Sequence, residues 1–565
     1  MKNLHTPTKT ASLLILTAAI AAAANWKLAP DLAQVPSDQT VDVIVRYKAS
    51  PQTRNHRTME RRGALVKRSL EMVNSMAYHV PASALRELAD DPDVEYISPD
   101  RSVQATLDYA EPAINASIAR QYGWDGTGVT VAVIDSGIMD THPDLMDASG
   151  KSRVVYSQSF NTTEGNDYYD RYGHGTHVAG ILGGDASKSS GSGYTRTFWG
   201  IAPQVRFVNL KVLDRTGKGS DSMVIAAIQR AIALKSTYNI KIINLSLGRP
   251  VMESYLNDPL CLAVEQAWKA GIVVVVAAGN EGRNNTKSTS GYGTITSPGN
   301  DPYALTVGAM KDMKTLSRGD DQMASYSSKG PTLFDQVAKP DIVAPGNKII
   351  AALPTGLGLT NTYPGNKVAN GYYISGGTSQ KSDYYFEMSG TSMATPMVAG
   401  AAALLLEQQP SLTPDQIKAK LMKTAGKTFP LSTISTDLVT GTLYTVYYDL
   451  FAVGAGYLDV WAALNNTDTI SSSKRALSPS VQYNSSTKTV TLTNGTNVVW
   501  GDAQLANNVV WGDQVLKAGN VVWGDNVVWG DSTLSGFNVV WGDNVVWGDS
   551  SPSSEIVNIA IYGEN

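Results

Sequence analysis

Five short apolar runs, Val129 to Ile134, Val205 to Val212, Ile240 to Leu245, Ile272 to Ala278 and Ala304 to Val307, punctuate the middle of the chain. Helical patterns separate them, from His174 to Leu182, Ser222 to Leu234 and Pro259 to Ala270. Runs that are mostly apolar, with no strict polar alternation, read as strands buried on both faces. Such strands alternating with helices build a parallel sheet covered on each side. The expected fold class is α/β, a mainly parallel sheet flanked by helices. In sheets of this kind reactive groups gather beyond the carboxyl ends of the strands. Asp135 follows one predicted strand and Asn280 follows another. Predicted helices Met397 to Gln408 and Pro414 to Thr424, then the segment Gly454 to Val460, close a domain placed at residues 107–465.

The flanks differ in character. Residues Met1 to Ala24 carry Lys2 and Lys9, then an apolar stretch from Ala11 that ends in small alanines. This is the pattern of an export signal, with an uncleaved anchor as the other reading. The expected location is secreted, extracellular or at the cell surface. Cys261 is the only cysteine, so an exported protein of this size would be built without internal disulfides. Its apolar neighbours Leu260, Leu262 and Val264 favour a packed small hydrophobe over a reactive thiol. Within residues 25–106, Val41 to Tyr47 alternates as a strand and Thr58 to Val73 has helical spacing. Pro81 to Ala89 reads as a short helix and Val94 to Ile97 as a strand, which together make a small α+β unit. The formal net charge of -4, with no long basic run, gives nucleic-acid binding no electrostatic support.

After Asn465 the composition turns to Ser, Thr and Asn, as in a linker over 466–496. Asn-Val-Val-Trp-Gly-Asp then occurs six times within 497–549, with tryptophans at Trp500, Trp511, Trp523, Trp529, Trp541 and Trp547. The unit suits a β-solenoid or tight hairpins, and equally an extended low-complexity tail that orders against a partner. The sequence leaves that partner unknown: a surface, a polymer or a protein. A short tail, 550–565, ends the chain.

Three separated blocks carry an acid, imidazoles and a hydroxyl: Val133-Ile134-Asp135-Ser136-Gly137, Gly173-His174-Gly175-Thr176-His177 and Gly390-Thr391-Ser392-Met393-Ala394. A serine hydroxyl needs a histidine to take its proton and a carboxylate to hold that histidine in the right tautomer. Only His142, His174 and His177 of the six histidines fall in this region. His174 and His177 lie three apart and could form a metal pair, but the His-Glu-x-x-His spacing and any cysteine cluster are missing. Ser392 before a small apolar run would present its amide at a helix start, where developing negative charge is favoured. By itself it reads better as a helix cap, and the small neighbours on both sides, which leave room for a substrate, tip the balance slightly the other way. Asn280, after a buried strand, could donate its amide to an oxyanion, or be a turn residue beside glycine.

In wording and order, the motifs Ala132 to Ile138, His174 to Gly180 and Gly390 to Pro396 resemble the subtilisin-like serine proteases, across roughly Gly123 to Leu464. The resemblance implies Asp135 as orienting acid, His174 as general base, Ser392 as nucleophile and Asn280 as oxyanion donor. It implies substrate-binding edges at Ser246-Leu247-Gly248 and Gly217-Lys218-Gly219, which would pair with the main chain of an extended peptide. Thr296 stands where broad-specificity relatives often place glycine, which implies a shallower main pocket. The chemistry would require no cofactor. Asp144 matches a calcium-coordinating position, so structural calcium is an expectation resting on one carboxylate, whereas the ion wants six to eight oxygens. Residues Val41 to Gln104 resemble the family's inhibitory propeptide, cut near 104–110, which would make the chain its own intramolecular inhibitor. The function implied is a secreted, self-processing endopeptidase acting on protein or peptide substrates. The competing reading is a surface adhesion protein whose tryptophan repeats do the work while the protease domain is scaffold.

Overall fold

Valine and isoleucine, stiff at χ1 and suited to a pleated surface, fill the runs that become the central strands. The computed structural model describes residues 27–29, 32, 35–70, 74–99, 109–284, 289–352, 356, 358–438, 440–468, 470–484, 489–493, 559 and 561–564. The chain divides into two units, residues 1–104 and 105–565. The export-signal pattern, positions 104–108 of the expected cut region 104–110 and all six tryptophan repeats lie outside the described residues.

The leading unit is an antiparallel four-stranded sheet in the order β2-β3-β1-β4. Its strands are β1 (Thr40–Tyr47), β2 (Leu65–Leu70), β3 (Ser75–Pro81) and β4 (Val94–Pro99), with helices α1 (Thr53–Arg61) and α2 (Leu85–Ala89). Val43, Val45, Met59, Tyr78, Leu88 and Ile97 form its core. The helix expected over Thr58 to Val73 is corrected. It stops at Arg61, where Gly63 takes a left-handed φ of 81° and the Gly63 and Ala64 amides donate back to Glu60 and Met59. The charged stretch beyond becomes the edge strand β2, whose polar residues tolerate solvent on one side.

The second unit holds the expected sheet. Strands β5 (Thr130–Asp135), β6 (Val154–Ser159), β7 (Arg206–Lys211), β8 (Ile240–Leu245), β9 (Val273–Ala277), β10 (Leu305–Lys311), β11 (Gln322–Met323) and β12 (Ile342–Pro345) run in the order β11-β10-β9-β8-β5-β7-β6, with β12 also against β10. Every pair is parallel except β10 with β11. All residues of β5, β9 and β10 are buried. After β5 the chain builds β6 and β7 on one side, and after β8 it builds β9 and β10 on the other. The seam between β5 and β8 is therefore a switch point, where a crevice opens at the strand ends.

Helices α4 (Asp221–Tyr238) and α5 (Pro259–Lys269) pack together, α4 also against β8 and α5 against β9. Helix α6 (Thr391–Gln408) packs on β8, β9, β10 and β12 and touches α3 (His174–Gly183). Because α6 is enclosed on all sides, it is apolar all round, with no polar face. It begins six residues earlier than the sequence pattern indicates, so Ser392 stands in its first turn. The segment expected as linker instead packs onto this unit as far as its hairpin: Val481 donates to the Gln336 carbonyl, Ala476 to Asp415, and Ser478 Oγ to Asp341. Among the described residues, no helix is long and apolar enough to cross a membrane.

Candidate active site

Asp135 is the last residue of β5, fully buried at the switch point. Its Oδ1 accepts from the Ser136 amide at 2.7 Å and lies 2.8 Å from His174 Nδ1. That contact fixes the proton on Nδ1 and leaves Nε2 as the basic atom. Burial opposes a charge on His174, but Asp135 and, more distantly, Asp170 outweigh it and raise its pKa above the ordinary 6.5. The two other histidines are committed elsewhere. His142 Nε2 is 3.0 Å from the Tyr384 carbonyl, and His177 Nε2 is 3.0 Å from that of Phe386. Burial holds His177 down to about 3, so it is neutral at working pH.

The start of α3 is fastened by a residue the sequence reading overlooked. Asp170 is buried, and its carboxylate accepts from Ser136 Oγ, the amides of Tyr172, Gly173 and Thr176, and Thr176 Oγ1. Ser136 Oγ in turn accepts from the Gly175 amide, so one carboxylate ties the Asp135 strand end to the His174 helix start. An acid four residues ahead of a histidine, just before a helix, is the signal that could have revealed it. Gly175 is required by close approach, since a Cβ there would lie 2.2 Å from the Gly137 carbonyl oxygen.

Ser392 and Ser246 lock one another. Ser392 Oγ donates to the Ser246 carbonyl at 3.0 Å, and Ser246 Oγ donates to the Ser392 carbonyl at 2.9 Å. The second bond exists because Pro396, four residues on, has no N–H to claim that carbonyl. Asn280 Oδ1 accepts from the amide and the hydroxyl of Thr391, at 2.9 and 3.0 Å. Because an amide proton identifies the acceptor, Nδ2 is the atom left to donate. The Ser392 amide belongs to the first turn of α6, whose amides have no helical acceptor. Gly390, at φ 144°, makes the turn into that helix.

His174, Gly217, Gly219, Ser246, Leu247, Gly248, Asn280 and Ser392 line one cleft of about 350 Å3. Lys218, between Gly217 and Gly219, does not line it, and its amide and carbonyl are held by Asp214. Thr296 stands behind the wall, where a Cβ on Gly248 would lie 2.5 Å from its Oγ1 and one on Gly279 2.7 Å from its Cγ2. A calcium role for Asp144 does not fit. Its Oδ1 accepts from Ser187 Oγ and the Lys188 amide and its Oδ2 from the Tyr385 hydroxyl, so hydrogen-bond donors occupy the directions a cation would need. Among the described residues, no group of three or more His, Cys, Asp or Glu is arranged to hold a metal. Cys261 is buried and its thiol pKa is pushed well up by that burial, which fits a packing role.

A family model described as the Subtilase family matches residues 126–456. The chain belongs to the subtilase family. Among similar proteins, serine protease AprX of Bacillus subtilis (strain 168) is 38% identical over 371 residues, 64% of this chain and 76% of that protein. Subtilisin E of the same organism is 35% identical over 367 residues, 64% and 78% of the two chains. Subtilisin of Bacillus pumilus is 37% identical over 320 residues, 57% and 92%. This subtilase is accordingly a serine-type endopeptidase acting on proteins, and the chemistry of the family needs no cofactor.

Proposed function

We propose that Asp135, His174 and Ser392 carry out peptide hydrolysis through an acyl-enzyme, with Asn280 and the Ser392 amide stabilising the oxyanion. The observation that carries this is the 2.8 Å contact of His174 with Asp135 in the cleft that also holds Ser392 and Asn280. Ser392 Oγ turns from the Ser246 carbonyl toward His174 Nε2, gives up its proton and attacks the scissile carbonyl carbon. Negative charge moves to the carbonyl oxygen, where Asn280 Nδ2–H and the Ser392 N–H donate. His174 passes its proton to the amine nitrogen as the C–N bond breaks. Water, deprotonated by the same imidazole, then hydrolyses the acyl-serine. Ser246-Leu247-Gly248 and Gly217 with Gly219 hold the acyl side of an extended substrate, and Thr296, packed behind Gly248 and Gly279, limits the depth of the main pocket.

In the same reading the protein is secreted as a zymogen. Support comes from the export-signal pattern of Met1 to Ala24, the single cysteine, and a leading α+β unit that forms its own core. That unit is the inhibitory propeptide, removed by the enzyme itself. The test is to express the full chain and Ser392→Ala, sequence the mature N-terminus and label with a fluorophosphonate. Wild type is expected to mature and to label at Ser392. A Ser392→Ala protein that matures in pure preparation would defeat self-processing, and wild type without label would defeat the assignment of Ser392.

A further inference from the structure

Residues 559 and 561–564 lie far beyond the matched family region, yet they are built into the catalytic unit. The Glu564 side chain is fully buried and its carboxylate accepts from Arg283 Nη2 at 2.6 Å and from the amide and hydroxyl of Ser325, with Lys311 Nζ at 3.5 Å. The Arg283 and Lys311 side chains are each only 1% exposed. Asn347 holds the Glu564 backbone from both sides, accepting from its amide and donating to its carbonyl. Ile559 and Ile561 are buried in the main core. Gly563 takes a φ of 60° against Ser389, where a Cβ would lie 2.5 Å from Oγ. This clamp sets Ile561 in the wall of the catalytic cleft, beside Met388 and Ser389 just ahead of Ser392.

We infer that Ile561 forms part of the leaving-group side of the substrate cleft and helps to determine which residues are accepted after the scissile bond. The inference rests on the assignment of Ser392 and of the acyl-side edges above, because Ile561 lines the cleft with Met388 and Ser389, which precede Ser392 and belong to neither edge. The clamp argues for a permanent wall and against a removable plug. Two buried cations on the catalytic unit are satisfied in part by Glu564, and withdrawing a carboxylate from such a cluster leaves buried charge behind.

The test uses mature enzyme made from the full chain and a peptide library varied on both sides of the cut, comparing wild type with Ile561→Ala. Rates among peptides that differ only on the leaving-group side are expected to change relative to one another by fivefold or more. Rates among peptides that differ only on the acyl side should change relative to one another by less than twofold. Glu564→Gln, which keeps the shape and removes the charge, is expected to give the same one-sided change by loosening the clamp. Equal changes on both sides, or none, would overturn the inference. So would a general rise in rate on every peptide, which would mark the segment as a plug, or mass spectrometry showing residues 559–564 lost from active enzyme. Fluorophosphonate labelling of each variant reports an intact site. Wild type that fails to label counts against the catalytic assignment, whereas labelled variants with unchanged profiles count against Ile561.

Discussion

In the proposed mechanism the imidazole of His174 is the base, and the carboxylate 2.8 Å away favours its taking up a proton. Since catalysis needs it neutral and its pKa is raised, the acid limb of kcat/KM is expected above 6.5. Asp135→Asn removes the charge that raises it, so the limb should move to lower pH while kcat falls by about 10⁴-fold, the order seen when a serine protease loses its orienting acid. A pH–rate profile of both proteins checks the two effects. Stability runs the other way: a raised pKa in the fold means this contact stabilises fully below 6.5 and fades as pH rises through the folded value. Asn280→Ala should lower kcat by about 10² to 10³-fold with little change in KM, because in the proposed mechanism its donor serves the oxyanion and not the ground state. Steady-state kinetics on one peptide substrate would decide it.

At the scale of elements, the first turn of α6 carries an unusual constraint. Pro396 leaves the Ser392 carbonyl open and Ser246 fills it, so the strand end and the helix start share a reciprocal pair of bonds. Pro396→Ala restores the missing N–H, lets the helix claim its own carbonyl and draws Ser392 away from Ser246. The expected outcome is a kcat reduced by tenfold to a hundredfold with Tm unchanged or raised, since small misplacements of a nucleophile are costly while interior proline is the poorer helix residue. Asp170→Ala takes the other route. It orphans five donors at the start of α3 and is expected to cost about 2–4 kcal/mol in denaturant unfolding.

Much of this was legible in the sequence because it is periodic or local: the buried runs became β5 and β7 to β10, and the three blocks converged at one cleft. The helix expected over Thr58 to Val73 failed because a charged edge strand and a charged helix share the same composition, and Gly63 was the only punctuation. Asp170 was readable as a cap and was passed over. Ile561 was not readable at all, since Met388 and Ser389, beside which it lines the cleft, lie more than a hundred and seventy positions away and no period connects them.

At the scale of the molecule, the catalytic unit is held at two distant points of the chain. The hairpin Ser480–Asn484 with Thr489–Thr493 begins beside Val337, and Glu564 closes on Arg283, so the tryptophan repeats belong to a span whose two ends are both fixed. Cutting the chain once within 497–549 should therefore leave two pieces that travel together. Size-exclusion chromatography of a variant carrying an engineered cleavage site there, cut and uncut, is expected to give one peak containing both fragments. Separation of the fragments would show that the clamp does not hold without the covalent connection.

That closed span bears on how the repeats can change over time. The entropic cost of bringing together the two ends of a chain connection grows only as the logarithm of its length, about 0.6 kcal/mol for each doubling. Gaining or losing one hexad therefore changes the cost of closing the span by only a small amount beside the buried contacts that seat Glu564 on Arg283 and Ser325.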